Sequence, residues 1–299
     1  MMPTVDIIIP AYNAAKFLPA ALDSVEAQSF KDWRILLVDD GSTDHTEELV
    51  APYCARLGDK LKYIRQPNRG LPAARNAAIA NSSAEFLALL DADDVWLPWR
   101  LEESLKAFLG RPKVGLAYGL ITQIDPEGRL LGTFLGNASH AEGKIAPYIY
   151  MRKVEFPCPT VTFRSECVAK VGGFDETMRA SEDRDLWLRI ALQYEVACVP
   201  RVIAYYRVSP NSMSTDPERM VISQRQFIRK HFGAKGCGVR ARQIALARVY
   251  KQRAEAFVLC RQTGKALKSA VRALATYPFD VDNVRTAGSL LLRFLGIRI

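Results

Sequence analysis

The apolar residues of the first 120 positions fall into short runs separated by segments with helical periodicity. Five runs are typical of buried strands, because each is mostly apolar and is bounded by polar or turn-forming residues. The predicted strands are Val5–Pro10, Trp33–Val38, Leu61–Ile64, Phe86–Leu90 and Val114–Tyr118. Apolar residues in the connections recur at helical spacing, as in Ala14–Gln28, where Asn13 is a suitable N-cap. This alternation predicts an α/β fold with a mostly parallel sheet and helices on both faces.

After Gly119 the alternation becomes irregular. We expect a strand at Val161–Phe163, a helix near Leu186–Gln193 and a strand at Val202–Arg207. From about Pro217 the pattern is helical, and the predicted helices are Gln224–His231, Val239–Leu259 and Asn283–Ile299. The sequence therefore predicts an α/β domain over residues 1–215 and a helical segment over residues 216–299.

Charge is unevenly distributed along the 299 residues, whose formal net charge is +9. Residues 1–216 hold 24 basic and 28 acidic side chains, whereas residues 217–299 hold 17 and 4. The basic segment favours an anionic partner surface. Its helices, Ser289–Ile299 above all, could lie in a membrane interface near anionic lipid, or could pack on the α/β domain with a basic solvated face. No recognised nucleic-acid-binding motif accompanies the charge, so we expect no nucleic-acid partner.

The cysteines and the hydrophobic segments of the sequence indicate where in the cell the protein is located. The six cysteines form no C-x-x-C pair, which favours free thiols in a reducing compartment over a zinc site or disulfides. Met1–Thr4 run into a predicted strand without a basic leader, and no apolar run approaches the roughly 20 residues of a spanning helix. We therefore expect a protein on the cytoplasmic side.

Polar clusters follow three of the predicted strands: Pro10–Asn13, Asp39–Ser42 and Asp91–Asp94. In an open parallel sheet such strand ends share one edge, where ligands bind. Clustered carboxylates are unfavourable unless a cation or hydrogen-bond donors compensate them. Asp91 and Asp93 offer the oxygen ligands that Mg²⁺ or Mn²⁺ prefers, which predicts a metal that also binds substrate phosphates. An acidic turn that binds no metal is the alternative.

The common glycine-rich nucleotide-binding motifs are absent. The chain has neither G-x-x-x-x-G-K-[ST] nor G-x-G-x-x-G. This argues against a P-loop nucleotidase and against a dinucleotide-dependent oxidoreductase. It also favours a metal as the group that handles the phosphates.

A second acidic cluster, Glu182-Asp183-Arg184-Asp185, lies at a predicted helix start. The helix dipole favours carboxylates there, which accounts for one acid but does not obviously require three. One of them could be a general base that takes the proton from an attacking hydroxyl.

Together these segments resemble the family-2 inverting glycosyltransferases, which have the GT-A fold. The matching segments, in the family's order and spacing, are Ile8–Asn13, Val38–Asp44, Asn68–Gly70, Ala74–Asn76, Leu90–Asp94, Gly172–Asp175 and Glu182–Trp187. The resemblance covers roughly residues 4–215. It implies a nucleotide-sugar half over about residues 1–119 and an acceptor half over about 120–215. The implied activity is transfer of a sugar, with inversion, from a nucleoside-diphosphate donor, most commonly a UDP-sugar, to a carbohydrate or lipid-linked acceptor.

The resemblance also implies roles on the donor side. Tyr12 would stack on the nucleobase, in a pocket shaped by Pro10 and Ala11. Asp40 would accept a hydrogen bond from the base. Arg75 would contact the donor, unless it is an arginine on a helix surface.

Further implied roles concern the metal and the acceptor. Asp91 would face the ribose or the metal, and Asp93 would be the main ligand of Mn²⁺ or Mg²⁺. Asp183 would be the catalytic base, with Glu182 beside it on the acceptor side. Trp187 would form a wall of the acceptor pocket or would pack in the core.

One position departs from the family pattern. Members often carry Tyr-Arg-x-His-x-x-Ser-x-Ser, whose histidine can complete the metal site. Here the frame begins at Tyr206, and Ser209 stands where the histidine is expected. Serine is a much poorer metal ligand, so the third ligand is left unassigned.

Two other classes of protein stay open. A catalytically silent module could keep the fold and dock through its basic tail; the missing histidine favours this hypothesis and the intact acidic clusters oppose it. A sugar-nucleotide pyrophosphorylase is opposed by the lack of a glycine-rich, lysine-containing loop near the first strand. The favoured hypothesis is a transferase that builds a cell-surface polysaccharide or glycolipid.

Overall fold

The computed structural model describes residues 2–135, 141–178, 180–209 and 217–294. The chain divides into two compact units. The first combines Met1–Ile145 with Glu155–Ser209, and the second combines Ala146–Val154 with Pro210–Ile299. The first unit is α/β and the second is helical.

The first unit begins with alternating strands and helices. Strands β1 to β4 are Val5–Ala11, Trp33–Asp39, Leu61–Arg65 and Phe86–Leu89. Helices α1 to α3 are Leu18–Glu26, Thr46–Leu57 and Leu71–Ala80. The four strands pair in parallel in the order β3-β2-β1-β4, with Ala11 beside Asp39. Their carboxyl ends therefore share one edge, as the sequence predicts.

Mixed pairing follows in the rest of the first unit. Its strands are β5 (Val95–Trp96), β6 (Val114–Ile124), β7 (Leu130–Leu135), β8 (Thr162–Arg164) and β9 (Glu195–Arg207). Its helices are α4 (Arg100–Lys106), α6 (Ser165–Val171) and α7 (Glu182–Ala191). Strand β8 is antiparallel to β4 and β6, and β6 is parallel to β9. Within the described residues, β8 thus extends the parallel half into one mixed sheet in the order β3-β2-β1-β4-β8-β6-β9-β5, with β7 on β6.

The core of this unit lies between the sheet and its helices. Ile7 and Ile9 of β1 are fully buried, and they belong to one cluster with Leu18, Leu22 and Val25 of α1. Those helical positions recur at the spacing seen in the sequence. Burying side chains of this size contributes about 1.5–3 kcal/mol each, which fixes the sheet that presents the strand ends.

The second unit is built from helices. They are α5 (Ala146–Tyr150), α8 (Pro217–Lys230), α9 (Val239–Leu259), α10 (Thr263–Thr276) and α11 (Val281–Phe294). Helix α9 has the predicted bounds, whereas α10 was not predicted because its buried face consists of small residues such as Ala266 and Ala270. Residues 295–299 of the predicted last helix lie outside the described residues.

Segment 146–154 belongs to the second unit because its side chains bond to the helices there. Tyr150 Oη donates to the Ile228 carbonyl at 2.9 Å, and Arg152 Nη2 donates to Gln252 Oε1 at 2.5 Å. Among the helices that the structure describes, we find none that combines the length and the apolar character needed to cross a membrane.

Candidate functional site

The loops after β1 and β2 are tied together by hydrogen bonds. The Asn13 N–H donates to Ser42 Oγ at 2.9 Å, and the Thr43 N–H donates to Asn13 Oδ1 at 2.8 Å. Asn13 has φ 49°, a left-handed conformation that asparagine tolerates better than most residues. Helix α1 starts later, at Leu18. The prediction that Asn13 caps this helix is therefore wrong, since its side chain braces the neighbouring loop instead.

Tyr12 lies on this braced loop, and 53% of its surface is exposed. Pro10 and Ala11, the last residues of β1, are buried. An exposed aromatic ring on a fixed backbone can stack on a flat apolar ligand at little entropic cost. The position of Tyr12 is thus compatible with nucleobase binding.

Asp40 organises the loop that leads into α3. Its Oδ1 accepts hydrogen bonds from Gln66 Nε2 at 2.7 Å and from the Arg69 N–H at 2.9 Å. Its Oδ2 accepts one from the Gly70 N–H at 2.7 Å. Each carboxylate oxygen can accept two hydrogen bonds, so Oδ2 keeps acceptor capacity for a ligand.

Asp39 is fully buried, and its side chain bonds only to groups that hold the neighbouring backbone and strand β3 in place among the described contacts. Its Oδ1 accepts from the Ser42 N–H at 2.8 Å, and its Oδ2 accepts from the Tyr63 hydroxyl at 2.7 Å. Burial and the bond to Asp39 raise the pKa of Tyr63 above its usual value. Asp39 therefore fixes the turn after β2, while Asp40 next to it faces the loop.

Arg75 joins the two acidic clusters of the sequence. Its Nη2 donates to Asp91 Oδ1 at 2.7 Å, and its Nη1 donates to Glu182 Oε1 at 2.8 Å. Only 2% of its surface is exposed, and its guanidinium lies 5.2 Å from the centre of the Phe174 ring. Arg75 is thus not a helix-surface arginine. It holds one carboxylate from each of the two acidic clusters against a single cation.

The loop 172–175 packs against Arg75 and is held in place by Asn76. Asn76 Oδ1 accepts from the Phe174 N–H at 2.8 Å, and Asn76 Nδ2 donates to the Phe174 carbonyl at 2.9 Å. A Cβ on Gly173 would lie 2.5 Å from Asn76 Oδ1. The glycine therefore allows the close approach that places Phe174 against Arg75.

Asp93 and Asp94 follow Asp91 in a tight turn, closed by an N–H···O bond of 3.0 Å from Asp94 to Asp91. Burial first, and the charge of Asp91 second, raise the pKa of Asp93 to about 6. Burial and the charge of Asp93 raise the pKa of Asp94 well above its usual value. Asp94 is buried and Asp91 and Asp93 are partly buried, so three neighbouring carboxyls form an electrostatically strained site that would be relieved by a cation.

Arg207 anchors this turn, a role that sequence analysis did not assign. Its N–H donates to Asp94 Oδ1 at 2.8 Å, and its Nε donates to the Asp93 carbonyl at 2.7 Å. Its guanidinium also donates to the carbonyls of Asp125 and Pro126. The Tyr-Arg pair of the family pattern, Tyr206-Arg207 here, was the feature of the sequence that could have indicated this role.

The carboxylates here fit a metal ion that is shared with a ligand. Within the described ranges, no three His, Cys, Asp or Glu side chains come together to hold a metal by themselves. Asp91 and Asp93 remain, and a buried oxygen of Asp94 has no hydrogen-bond partner among the described residues. Mg²⁺ and Mn²⁺ accept one or two carboxylates when substrate phosphates complete the site. Ser209 is described, but residues 210–214 of its motif lie outside the described residues.

Glu182 and Asp183 open helix α7 after a left-handed residue, Ser181, with φ 61°. Burial and the charge of Asp183 raise the pKa of Glu182 to about 7, although Arg75 opposes the shift. Asp183 is only partly buried, and its Oδ1 accepts from the Arg184 N–H at 2.6 Å. Asp183 is therefore the more accessible of the two carboxylates for a proton transfer.

Asp185, the third acid of the cluster, has a structural role. Its Oδ2 accepts from Arg189 Nε at 2.8 Å, and Arg189 also donates to the carbonyls of Val171, Gly172 and Gly173. This pair fastens α7 to the loop that supports Arg75.

Trp187 is a core residue. It is 2% exposed, and its ring centre lies 5.9 Å from that of Phe163 and 6.2 Å from that of Phe174. Core packing was one of the two possibilities that the sequence allowed for Trp187.

Cys158 is an unpredicted neighbour of the site, since no sequence pattern marks it. Its Sγ lies 3.2 Å from Arg75 Nη2. Burial raises the pKa of this thiol well above its usual value, which keeps it neutral. It completes the buried surroundings of the guanidinium.

Comparison with known proteins gives a consistent result. The family model described as Glycosyl transferase family 2 matches residues 6–160. An uncharacterized glycosyltransferase of Rickettsia prowazekii (strain Madrid E) is 31% identical over 191 residues, which cover 62% of this chain and 58% of that protein. The chain thus spans less than two thirds of that relative's length.

Two solved structures share the fold. TarS of S. aureus in complex with UDP-GlcNAc matches with a TM-score of 0.66 and 19% identity, over 92% of this chain and 81% of that chain. The mannosyltransferase PcManGT from Pyrobaculum calidifontis, in complex with GDP-Man and Mn²⁺, matches with a TM-score of 0.67 and 19% identity, over 98% and 81%. These similarities confirm the predicted GT-A fold.

Proposed function

Because the chain belongs to glycosyl transferase family 2, we propose that it transfers a sugar from a nucleoside-diphosphate donor to an acceptor hydroxyl with inversion. The observation that supports this most directly is the double ion pair of Arg75 with Asp91 and Glu182. It links the acids of the donor loops to those of α7, where a donor and an acceptor have to meet.

On the donor side, Tyr12 stacks on the base and Asp40 accepts a hydrogen bond from it. Pro10 and Ala11 form the floor of this pocket, and Arg75 orients the carboxylate of Asp91. A UDP-sugar is the first candidate, since TarS is described with UDP-GlcNAc. GDP-sugars are the next, since PcManGT is described with GDP-Man.

Asp91 and Asp93 would hold a divalent metal, Mn²⁺ or Mg²⁺. PcManGT, which shares the fold, is described with Mn²⁺. Such an ion neutralises the negative charge that develops on a leaving diphosphate.

Asp183 acts as the base. It accepts the proton of the acceptor hydroxyl while that oxygen forms a bond to the anomeric carbon. The bond from this carbon to the diphosphate oxygen breaks, and its electron pair leaves with the nucleoside diphosphate. Attack from the face opposite the leaving group inverts the configuration.

A carbohydrate or lipid-linked acceptor, used in cell-surface polysaccharide or glycolipid synthesis, fits this chemistry. We also propose peripheral contact of residues 216–299 with anionic membrane. The balance of 17 basic against 4 acidic side chains in residues 217–299 supports this. Cosedimentation with anionic vesicles at low salt, lost at high salt, is the expected result.

The decisive experiment measures nucleoside diphosphate released from a panel of sugar nucleotides, with Mn²⁺, Mg²⁺ or chelator. Asp183→Asn is expected to lower turnover by about 10²–10⁴-fold while donor binding persists. Asp93→Asn is expected to weaken metal-dependent donor binding. The control is Asp59→Asn, which changes an exposed carboxylate in the first unit and should leave both measurements unchanged.

The other outcomes separate the remaining classes of protein. Formation of nucleoside triphosphate from donor and pyrophosphate would identify a pyrophosphorylase. Absence of donor binding with every metal would favour the silent module. Full turnover by Asp183→Asn would remove Asp183 as the base.

A further inference from the structure

The second unit contains a large cavity. Its volume is about 1210 Å³, and its walls come from segment 146–154, the loop before α9, the first turns of α9 and residues 277–280. None of its lining residues belongs to the donor loops or to the Glu182-Asp183 pair. The cavity is large enough to hold an organic ligand.

The walls of this cavity are basic. Four cations and one carboxylate line it: Lys153, Lys235, Arg240, Arg248 and Asp280. In the part of the chain that the structure describes, none of the four cations lies within 4.0 Å of a carboxylate oxygen. Arg248 Nη1 donates to the Arg152 carbonyl at 3.3 Å, whereas its buried Nε has no acceptor among the described residues. Cations that lack protein counter-charges favour an anionic ligand.

The backbone adds further donors. Helix α9 has 21 residues, and its first turn has no acidic residue and no side-chain cap. Its first N–H groups are therefore available to an anion, as in other phosphate sites at helix starts. The preceding loop has Gly236 at φ 78°, and a Cβ there would lie 2.4 Å from Pro147 Cγ. Glycine thus lets this loop pack closely against segment 146–154, three residues of which line the cavity.

The cavity also has exposed apolar residues. Tyr148, Val239 and Phe279 line it and are 47%, 65% and 84% exposed. A free phosphate or a sugar phosphate would leave them in water. An amphiphile would cover them with its apolar chain while its anionic head meets the cations.

We propose that this cavity binds the phosphate or diphosphate head of an amphiphile with a long apolar chain. The four cations and the N–H groups at the start of α9 favour a phosphate group. The exposed apolar residues favour an apolar chain attached to that phosphate. Binding at this site can be measured without sugar transfer, so its test is independent of the proposed function.

The test uses the full chain and measures binding of dodecyl phosphate below its micelle concentration by calorimetry. Inorganic pyrophosphate and dodecyltrimethylammonium are the comparison probes. The charge-reversal pair Lys235→Glu/Arg240→Glu is expected to weaken dodecyl phosphate binding by about tenfold or more. Its matched control, Arg261→Glu/Lys268→Glu, makes the same change at exposed positions outside the cavity and should change affinity by less than about twofold.

A second pair of variants tests the apolar part. Phe279→Ser is expected to weaken dodecyl phosphate binding by roughly threefold to tenfold. Leu259→Ser, at a residue that is 86% exposed and outside the cavity, should have no effect. Pyrophosphate binding as tight as that of dodecyl phosphate would overturn the amphiphile. Equal losses in both charge-reversal pairs, or no saturable binding, would overturn the site.

Discussion

A buried guanidinium between two carboxylates is stable only while all three groups are present. Arg75 is such a group, with Asp91 and Glu182 as its partners. Without the cation, the two carboxylates would keep their desolvation cost and lose its compensation. This dependence on one residue can be measured.

Arg75→Met is expected to lower the free energy of unfolding at pH 8 by about 3–5 kcal/mol. The loss should be smaller at pH 5, because Glu182, with its pKa of about 7, takes up a proton. Denaturant unfolding measures both values. The control is Arg56→Met, which removes the surface pair with Glu26 and should leave the midpoint unchanged. Equal effects of the two variants would contradict the role of Arg75.

The raised pKa of Glu182 predicts a pH-dependent stability. A carboxyl whose pKa rises from 4.5 to about 7 on folding stabilises the fold below the lower value, and this contribution is lost as pH rises through 7. Wild type should therefore lose on the order of 2–3 kcal/mol between pH 5 and pH 8 through this group. Glu182→Gln should lack that loss. Unfolding curves of both proteins over this range test it, and parallel profiles would refute it.

At the scale of elements, helix α3 and the loop 172–175 together hold the Arg75 side chain in place. Asn76 on the helix binds both backbone groups of Phe174, and Phe174 lies against Arg75. The support depends on Gly173, where no side chain fits without displacing Asn76. A change at this contact should therefore affect the ion pairs of Arg75 with Asp91 and Glu182.

Gly173→Ala is expected to destabilise the fold by roughly 1–3 kcal/mol, because the added Cβ overpacks against Asn76. It should also weaken donor binding, since Arg75 would shift. Gly264→Ala is the matched control, because a Cβ there meets nothing within 4 Å. Denaturant unfolding and donor titration give the two readouts. If Gly173→Ala keeps the stability and the donor affinity of the wild type, the contact between Gly173 and Asn76 is not tight.

For the whole molecule, the division into two units predicts where a donor acts. UDP with Mn²⁺ should slow amide hydrogen exchange severalfold in residues 11–16, 40–44, 66–71 and 91–94. Residues 217–294 should exchange at an unchanged rate. Hydrogen exchange read by mass spectrometry resolves these segments. Protection confined to residues 217–294 would move the nucleotide site out of the α/β unit.

The sequence by itself determined the strands at the start of the α/β unit and the residues at their ends. Apolar runs such as Val5–Pro10 needed only local periodicity, and the acids that follow strands β2 and β4 were placed at one edge because parallel strands align their ends. Helix α9 was equally predictable from a long continuous pattern. These features depend on neighbours in the chain.

Only the tertiary structure decided which of these residues meet. Arg75 reaches Glu182 across 107 positions, Arg207 holds Asp93 and Asp94, and Trp187 is buried in the core. Asn13 braces the neighbouring loop through the Thr43 N–H instead of capping helix α1, which begins at Leu18. Such contacts depend on strand order and packing, which a single sequence pattern does not specify. The same reason explains why the cavity of the second unit was not predicted, since its lining residues range from Tyr148 to Asp280.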